Sequence, residues 1–223
     1  MQQVPDIRMK WPFSSIIAGS SFSGKTHLLF KIIKNIESVM DTSPDIIFYC
    51  YNLFQPIFND FPQVTFVQGA DNEKTSESNL KKLSQQGIKV YLIYDDCTPN
   101  GNFLKELYTV LSHHLNLSVT ILVQNLFCKD IKELRTVSLN CHYTIFLRSP
   151  RAVDSVRHFA RQVFAENYPM FMEVYDCIVN KQLFGYLFVD CHPQSLSYLK
   201  LRSKIFDEEG PTEIFLPLNE KIC

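Results

Sequence analysis

Short apolar runs alternate along this chain with longer segments in which apolar residues return every three or four positions. The runs are Ile16–Ala18, Ile46–Tyr51, Val64–Val67, Val90–Tyr94, Val119–Val123, Tyr143–Leu147 and Tyr186–Asp190. They are rich in β-branched and aromatic residues and are continuous rather than alternating, the mark of strands buried on both faces. Between them, Leu28, Leu29, Ile32, Ile33, Ile36 and Met40 form one helical stripe, and Phe103, Leu104, Leu107, Tyr108, Leu111 and Leu115 form another. Further helices are expected near Asn79–Gln86, Val153–Phe164 and Tyr168–Asn180, with Asp71–Ser78 as a polar surface loop. Strands alternating with helices predict an α/β fold, a mostly parallel central sheet flanked by helices on both faces. The pattern fades after Ser203, where Pro211 and Pro217 suggest an irregular arm. The expected organisation is one domain over 1–206 and an arm over 207–223.

Composition narrows the classes. A chain of 223 residues, 46% of them hydrophobic, can bury one good core. No apolar run nears the roughly 18 residues a membrane helix needs, so no membrane partner is expected. Met1–Lys10 lacks the apolar stretch of a secretion signal. The seven cysteines (50, 97, 128, 141, 177, 191 and 223) are odd in number and form no Cys-x-x-Cys pair. Most lie within apolar runs and are expected to be small buried hydrophobes in a reducing, intracellular setting.

Chemistry concentrates at the ends of the predicted strands. Gly19-Ser20-Ser21-Phe22-Ser23-Gly24-Lys25-Thr26 is a Walker A loop, set between a strand and an amphipathic helix as that motif requires. Its glycines let successive N–H groups curl around phosphate, and the helix that follows offers its positive end to the same group. Lys25 is expected to reach the β- and γ-phosphates of ATP, and the Thr26 hydroxyl to ligate Mg²⁺. Asp95 and Asp96 end the Val90–Tyr94 run. Asp95 fits a Walker B role in holding Mg²⁺, and Asp96 fits activation of the attacking water, one methylene shorter than the glutamate of many motor ATPases. Gln124 ends the next strand, where its amide can accept from water and donate to a γ-phosphate oxygen. Such a residue is also a common strand-end cap.

Charge is local. From Lys129 to Arg161 seven basic residues face three acids, on a chain whose net charge is −1. A basic stretch on a near-neutral chain suits contact with DNA phosphates or with a neighbouring subunit's nucleotide, though any one of these residues can equally be solvated surface.

The loop, Asp95-Asp96 and several downstream blocks together resemble the viral genome-packaging ATPases of the FtsK/HerA superfamily, and within it the short ATPases of Polinton/Maverick elements and adintoviruses. The blocks are His113-His114-Leu115-Asn116-Leu117-Ser118-Val119, Val123-Gln124-Asn125-Leu126-Phe127, Arg135 to Tyr143, Arg148-Ser149-Pro150-Arg151, Phe184 to Asp190 and Leu199 to Phe206. The resemblance spans about Ser14–Phe206; Ser20, Ser21 and Phe22 depart from a loop often written with proline and glycine. It implies a P-loop NTPase of the RecA-like ASCE kind that packages viral double-stranded DNA. It further implies a homo-oligomeric ring, hexameric or pentameric, at a capsid or portal vertex, in the host nucleus or cytoplasm where virus assembles, with association to the virion. It also implies an arginine donated between subunits. Arg135 and Arg151 are the candidates, with Arg148 third; Arg135 is favoured because it precedes a strand. A nucleotide kinase, a helicase-like ATPase and a nucleotide-binding scaffold without turnover are the alternatives.

Overall fold

The structure, a computed structural model, describes residues 5–127 and 132–217. Every expected run is a strand: β1 (Ser14–Ala18), β2 (Ile46–Tyr51), β3 (Val64–Gln68), β4 (Val90–Asp95), β5 (Leu117–Val123), β6 (Tyr143–Leu147) and β7 (Tyr186–Asp190). Two short strands, β8 (Leu201–Ser203) and β9 (Glu213–Ile214), join them, the latter within the 207–223 stretch. They form one sheet in the order β3-β2-β4-β5-β1-β6-β7-β8-β9. The first six in that order run parallel, and β7, β8 and β9 are added antiparallel at one side.

Neighbouring residues on a strand face opposite layers. Ile17 joins Leu29, Ile32 and Ile33 of α1 (Lys25–Lys34), together with Ile93, Leu122 and Ile145. Ile16 joins the other layer, built by α3 (Glu77–Gln85), α4 (Gly101–Glu106), α6 (Leu134–Asn140), α7 (Val153–Phe164) and α8 (Tyr168–Lys181). Helices therefore cover both faces, unevenly. On the α1 side the cover is completed by aromatics, with Phe30 stacked on Tyr49 at 5.2 Å and Phe58 on Phe66 at 4.4 Å.

Four elements differ from expectation. The Leu28–Met40 stripe is broken at Asn35, whose Nδ2 donates to the Lys31 carbonyl at 2.9 Å. A side chain competing for backbone acceptors loosens a helix, and α2 (Ile36–Val39) starts anew before Met40 turns extended. The Phe103–Leu115 helix contains a π turn at Leu107–Leu111 before α5 (Ser112–His114). From that turn the buried Tyr108 hydroxyl donates to the Ser15 carbonyl at 2.6 Å. The Asp71–Ser78 loop holds a short 3₁₀ turn with Thr75 buried, and α3 begins at Glu77 with Ser76 accepting from the Asn79 N–H. Finally, α6 fills a stretch that showed no clear period.

Candidate nucleotide site

β1 passes into α1 through residues 19–24. A Cβ on Gly19 would lie 2.5 Å from Ser23 Oγ and 2.9 Å from Leu147 Cβ, so only glycine fits. The Gly19 N–H donates to the Val123 carbonyl at 3.1 Å. Ser20 donates twice to the Arg148 carbonyl, from its N–H at 3.2 Å and its hydroxyl at 3.0 Å. The loop is thereby tied to the tips of β5 and β6. Phe22 (φ 62°) and Gly24 (φ 96°) are left-handed, which curls the chain into a concave nest of backbone N–H groups. No side chain caps α1, so its first-turn donors remain for a ligand. Ser23 Oγ is buried beside them with no hydrogen-bond partner among the described residues.

Lys25 is buried, and its ammonium donates to the Gly19 and Ser20 carbonyls at 3.0 and 3.2 Å. Burial lowers its pKa, and the carboxylates of Asp96 and Asp95 partly offset that. Thr26 Oγ1 donates to Asp95 Oδ2 at 2.8 Å, and the buried Tyr49 hydroxyl donates to the same oxygen at 2.6 Å. Asp95 is only 2% exposed, and its Oδ1 has no hydrogen-bond partner among the described residues. Burial raises its pKa, while the Tyr49 and Thr26 hydrogen bonds pull it back.

Asp96 is exposed just beyond β4 at φ 51°, and the Asn52 side chain donates to its backbone carbonyl. Aspartate tolerates left-handed geometry better than most residues, yet such strain clusters at functional sites. Because β5 lies between β1 and β4, Gln124 emerges between the loop and the paired carboxylates. A cleft of about 410 Å³ is lined by Lys25, Thr26, Asp95, Asp96 and Gln124, with Ser21, Phe22 and Gly24 from the loop. The expected loop, carboxylates and amide thus converge. Tyr49 and Gln55, which also belong to this site, were not expected from the sequence.

The arginines stand apart from this cleft. Arg135 is exposed in the first turn of α6, which runs to Asn140 before β6 begins at Tyr143. Arg148 follows β6 and anchors Ser20 by its carbonyl, while Arg151 is exposed farther along the same loop. Of the remaining basic segment, Arg157 pairs with Asp154 and Arg161 lies 5.0 Å from the Tyr168 ring centroid. Lys129 lies outside the described residues.

A hard divalent cation prefers oxygen donors and commonly binds one or two carboxylates plus substrate phosphates. The Thr26 hydroxyl and the unpartnered Asp95 Oδ1 fit that donor set. Among the described residues, no cluster of three or more His, Cys, Asp or Glu is arranged to hold a metal by protein ligands alone.

A mostly parallel sheet, a glycine-bounded loop between its central strand and α1, and a carboxylate pair on the strand two places away define a P-loop NTPase fold. No family model matches the chain, and no curated protein matches it. Among solved structures it is similar to B204, the DNA-packaging ATPase of Sulfolobus Turreted Icosahedral Virus, with TM-score 0.54 and 13% identity over 95% of this chain and 100% of that one. It is also similar to the genome packaging NTPase B204 of Sulfolobus turreted icosahedral virus 2. With ATP-gammaS bound, that protein gives TM-score 0.52 and 14% identity over 92% of this chain and 98% of that one. With AMP bound it gives TM-score 0.50 and 13% identity over 82% and 94%. At these identities the likeness is one of fold.

Proposed function

We propose that the chain is an Mg²⁺-dependent ATPase motor that drives viral double-stranded DNA into a capsid, working as a homo-oligomeric ring at a capsid or portal vertex. The observation that carries this reading is the convergence of Lys25, Thr26, Asp95, Asp96 and Gln124 on one cleft. Its support for packaging in particular is the shared fold with two viral packaging ATPases, added to the resemblance in sequence blocks.

In this reading Lys25 exchanges the Gly19 and Ser20 carbonyls for β- and γ-phosphate oxygens. Its burial makes that ion pair stronger than it would be in water. The loop N–H groups and the Ser23 hydroxyl hold the phosphate chain. Thr26 and Asp95 would hold Mg²⁺, which when bound neutralises phosphate charge and orients the β- and γ-oxygens. Tyr49 fixes the Asp95 carboxylate from behind. Asp96 takes the proton of the attacking water, and the Gln124 amide orients that water against the γ-phosphate. Arginine from a neighbouring copy, Arg135 or Arg151, would meet charge developing on the phosphoryl group. Phe22, Leu53, Phe54 and Leu183 are the most exposed large apolar side chains among the described residues, and all lie at the carboxyl end of the parallel strands, where a second copy would cover them.

The test is ATP hydrolysis with and without double-stranded DNA. DNA is expected to stimulate turnover, and Asp96→Asn to lower kcat by roughly 10²- to 10⁴-fold while ATP still binds. Turnover indifferent to DNA would count against the motor. Unchanged turnover in Asp96→Asn would move water activation to Gln124.

A further inference from the structure

The cleft that holds Lys25 and Asp95 shares Gly24 and His27 with a second cavity of about 370 Å³. One wall of that cavity is the α1 face carrying His27, Leu28 and Lys31, and the other is the Leu183–Gly185 turn between α8 and β7. The two spaces lie on opposite sides of the loop. Asp95, Asp96 and Gln124 stand at the tips of β4 and β5, and the second cavity opens on the β6–β7 side of β1. A nucleoside triphosphate is a linear ligand. With its terminal phosphate at the carboxylates and its phosphate chain wrapped by the loop, its nucleoside end points toward β6 and β7.

Phe184 makes that end of the site unusual. It is a bulky residue at φ 65°, a conformation that costs strain and persists only when its surroundings enforce it. Here they do: a Cβ on Gly185 would lie 2.4 Å from the Ile178 carbonyl oxygen, so the turn is pressed flat against α8. The ring is set over the phosphate loop, 2.7 Å from where a Cβ on Gly24 would lie. It is 52% exposed beside a still more exposed Leu183, so core packing does not account for its placement. Across the cavity the His27 ring stands 6.3 Å away with its plane inclined by 37°. Two rings holding a third between them stand roughly 7 Å apart face to face, twice a van der Waals contact, so this shorter and inclined pair must open to admit a base, with Phe184 offering the face and His27 bounding the cavity.

We propose that this cavity is the nucleobase site, with Phe184 as the stacking platform and His27 as the opposing wall. The inference rests on the reading of the loop as a triphosphate site. Every base has a π-face, so a stacking platform binds bases with little regard to identity. The site therefore adds affinity for the nucleoside while leaving selection among bases weak.

Inorganic tripolyphosphate separates the two halves of the site, since it keeps the phosphate contacts and lacks the base. With Mg²⁺ present, the wild-type chain is expected to bind ATP about tenfold or more tightly than tripolyphosphate, in line with one stacked base. Phe184→Ala removes most of that preference by weakening ATP alone, Phe184→Tyr keeps it, and Lys25→Ala weakens both ligands. A second readout is fluorescence of a Phe184→Trp variant, quenched by ATP and not by tripolyphosphate; the natural Trp11 lies before β1, at the far end of the sheet, and supplies a constant background. Phe184→Ala weakening both ligands equally would show that the ring merely props the loop, and would overturn the base site while sparing the phosphate site. So would a Phe184→Ala variant with unchanged ATP affinity, or a wild-type chain that binds both ligands equally. Wild-type protein that binds neither would overturn the triphosphate reading and the base site with it.

Discussion

Asp95 carries a cost at the scale of single atoms. One of its oxygens takes two hydrogen bonds, from Thr26 and Tyr49, and the other takes none among the described residues although it is buried. Burying an unpaired charge is unfavourable, which is why its pKa is raised. The penalty applies above the raised folded pKa, where the group is ionised, and fades as pH falls through it. Asp95→Asn is therefore expected to raise the melting temperature of the ligand-free chain at neutral pH, by about 2–4 °C for each kcal/mol relieved. The difference from wild type should shrink as pH falls, and the variant should lose the stabilisation that the proposed function predicts for wild type with Mg²⁺ and ATP. Calorimetry across pH checks both; a destabilised variant would mean that the carboxylate is a structural member and not a strained ligand. At this scale the residues that converge on the cleft were legible where a motif has fixed spacing, as in Gly19–Thr26, or sits at a strand end, as at Asp95, Asp96 and Gln124. It could not show Tyr49, because an aromatic within an apolar run looks the same whether its hydroxyl is used or not.

Element ends meet opposite the loop of residues 19–24, at the amino ends of the parallel strands. His113 on α5, His142 between α6 and β6, and His192 beyond β7 gather there, with His142 5.3 Å from His113 and 4.6 Å from His192 by ring centroids. Tyr143, Asp190, Asp41 and Lys10 surround them. His142 Nδ1 accepts from the Ser14 N–H at 3.3 Å, a bond available only to an unprotonated nitrogen. Burial, then His192 and His113, push the His142 pKa from 6.5 down to about 4. A base with a lowered folded pKa contributes stability that is full above its unfolded pKa and is lost as pH falls through the folded value. The chain should lose at most roughly 3 kcal/mol through this group between those two pH values. His142→Asn should flatten that limb in a plot of melting temperature against pH; an unchanged slope would shift the effect to another group. Strands and long helices were legible as elements because their apolar runs exceed the noise of composition. The break at Asn35, the π turn and α6 were not, since each is decided within a turn or two by local hydrogen bonding or by packing on neighbours distant in sequence.

For the whole molecule, the strand alternation foretold a mostly parallel sheet but not the antiparallel side. A run such as Tyr186–Asp190 is buried on both faces in either direction, so its pattern is silent about orientation. The arginines also belong to this scale, because Arg135 and Arg151 do not line the cleft of their own chain. If Arg135 completes a neighbour's site, Arg135→Ala copies should bind ATP yet hydrolyse it slowly. Mixing them with Lys25→Ala copies should restore part of the turnover at intermediate ratios. Hydrolysis rate against mixing ratio checks this; full activity of Arg135→Ala alone would reject it and make Arg151 the residue to test.

Among the described residues the sheet ends at β9, which is two residues long and lies between Pro211 and Pro217. A sheet margin with so few open amide and carbonyl groups offers almost no template for another chain's backbone. A second copy meeting this margin would find side chains rather than backbone to join, leaving every strand of both copies in place.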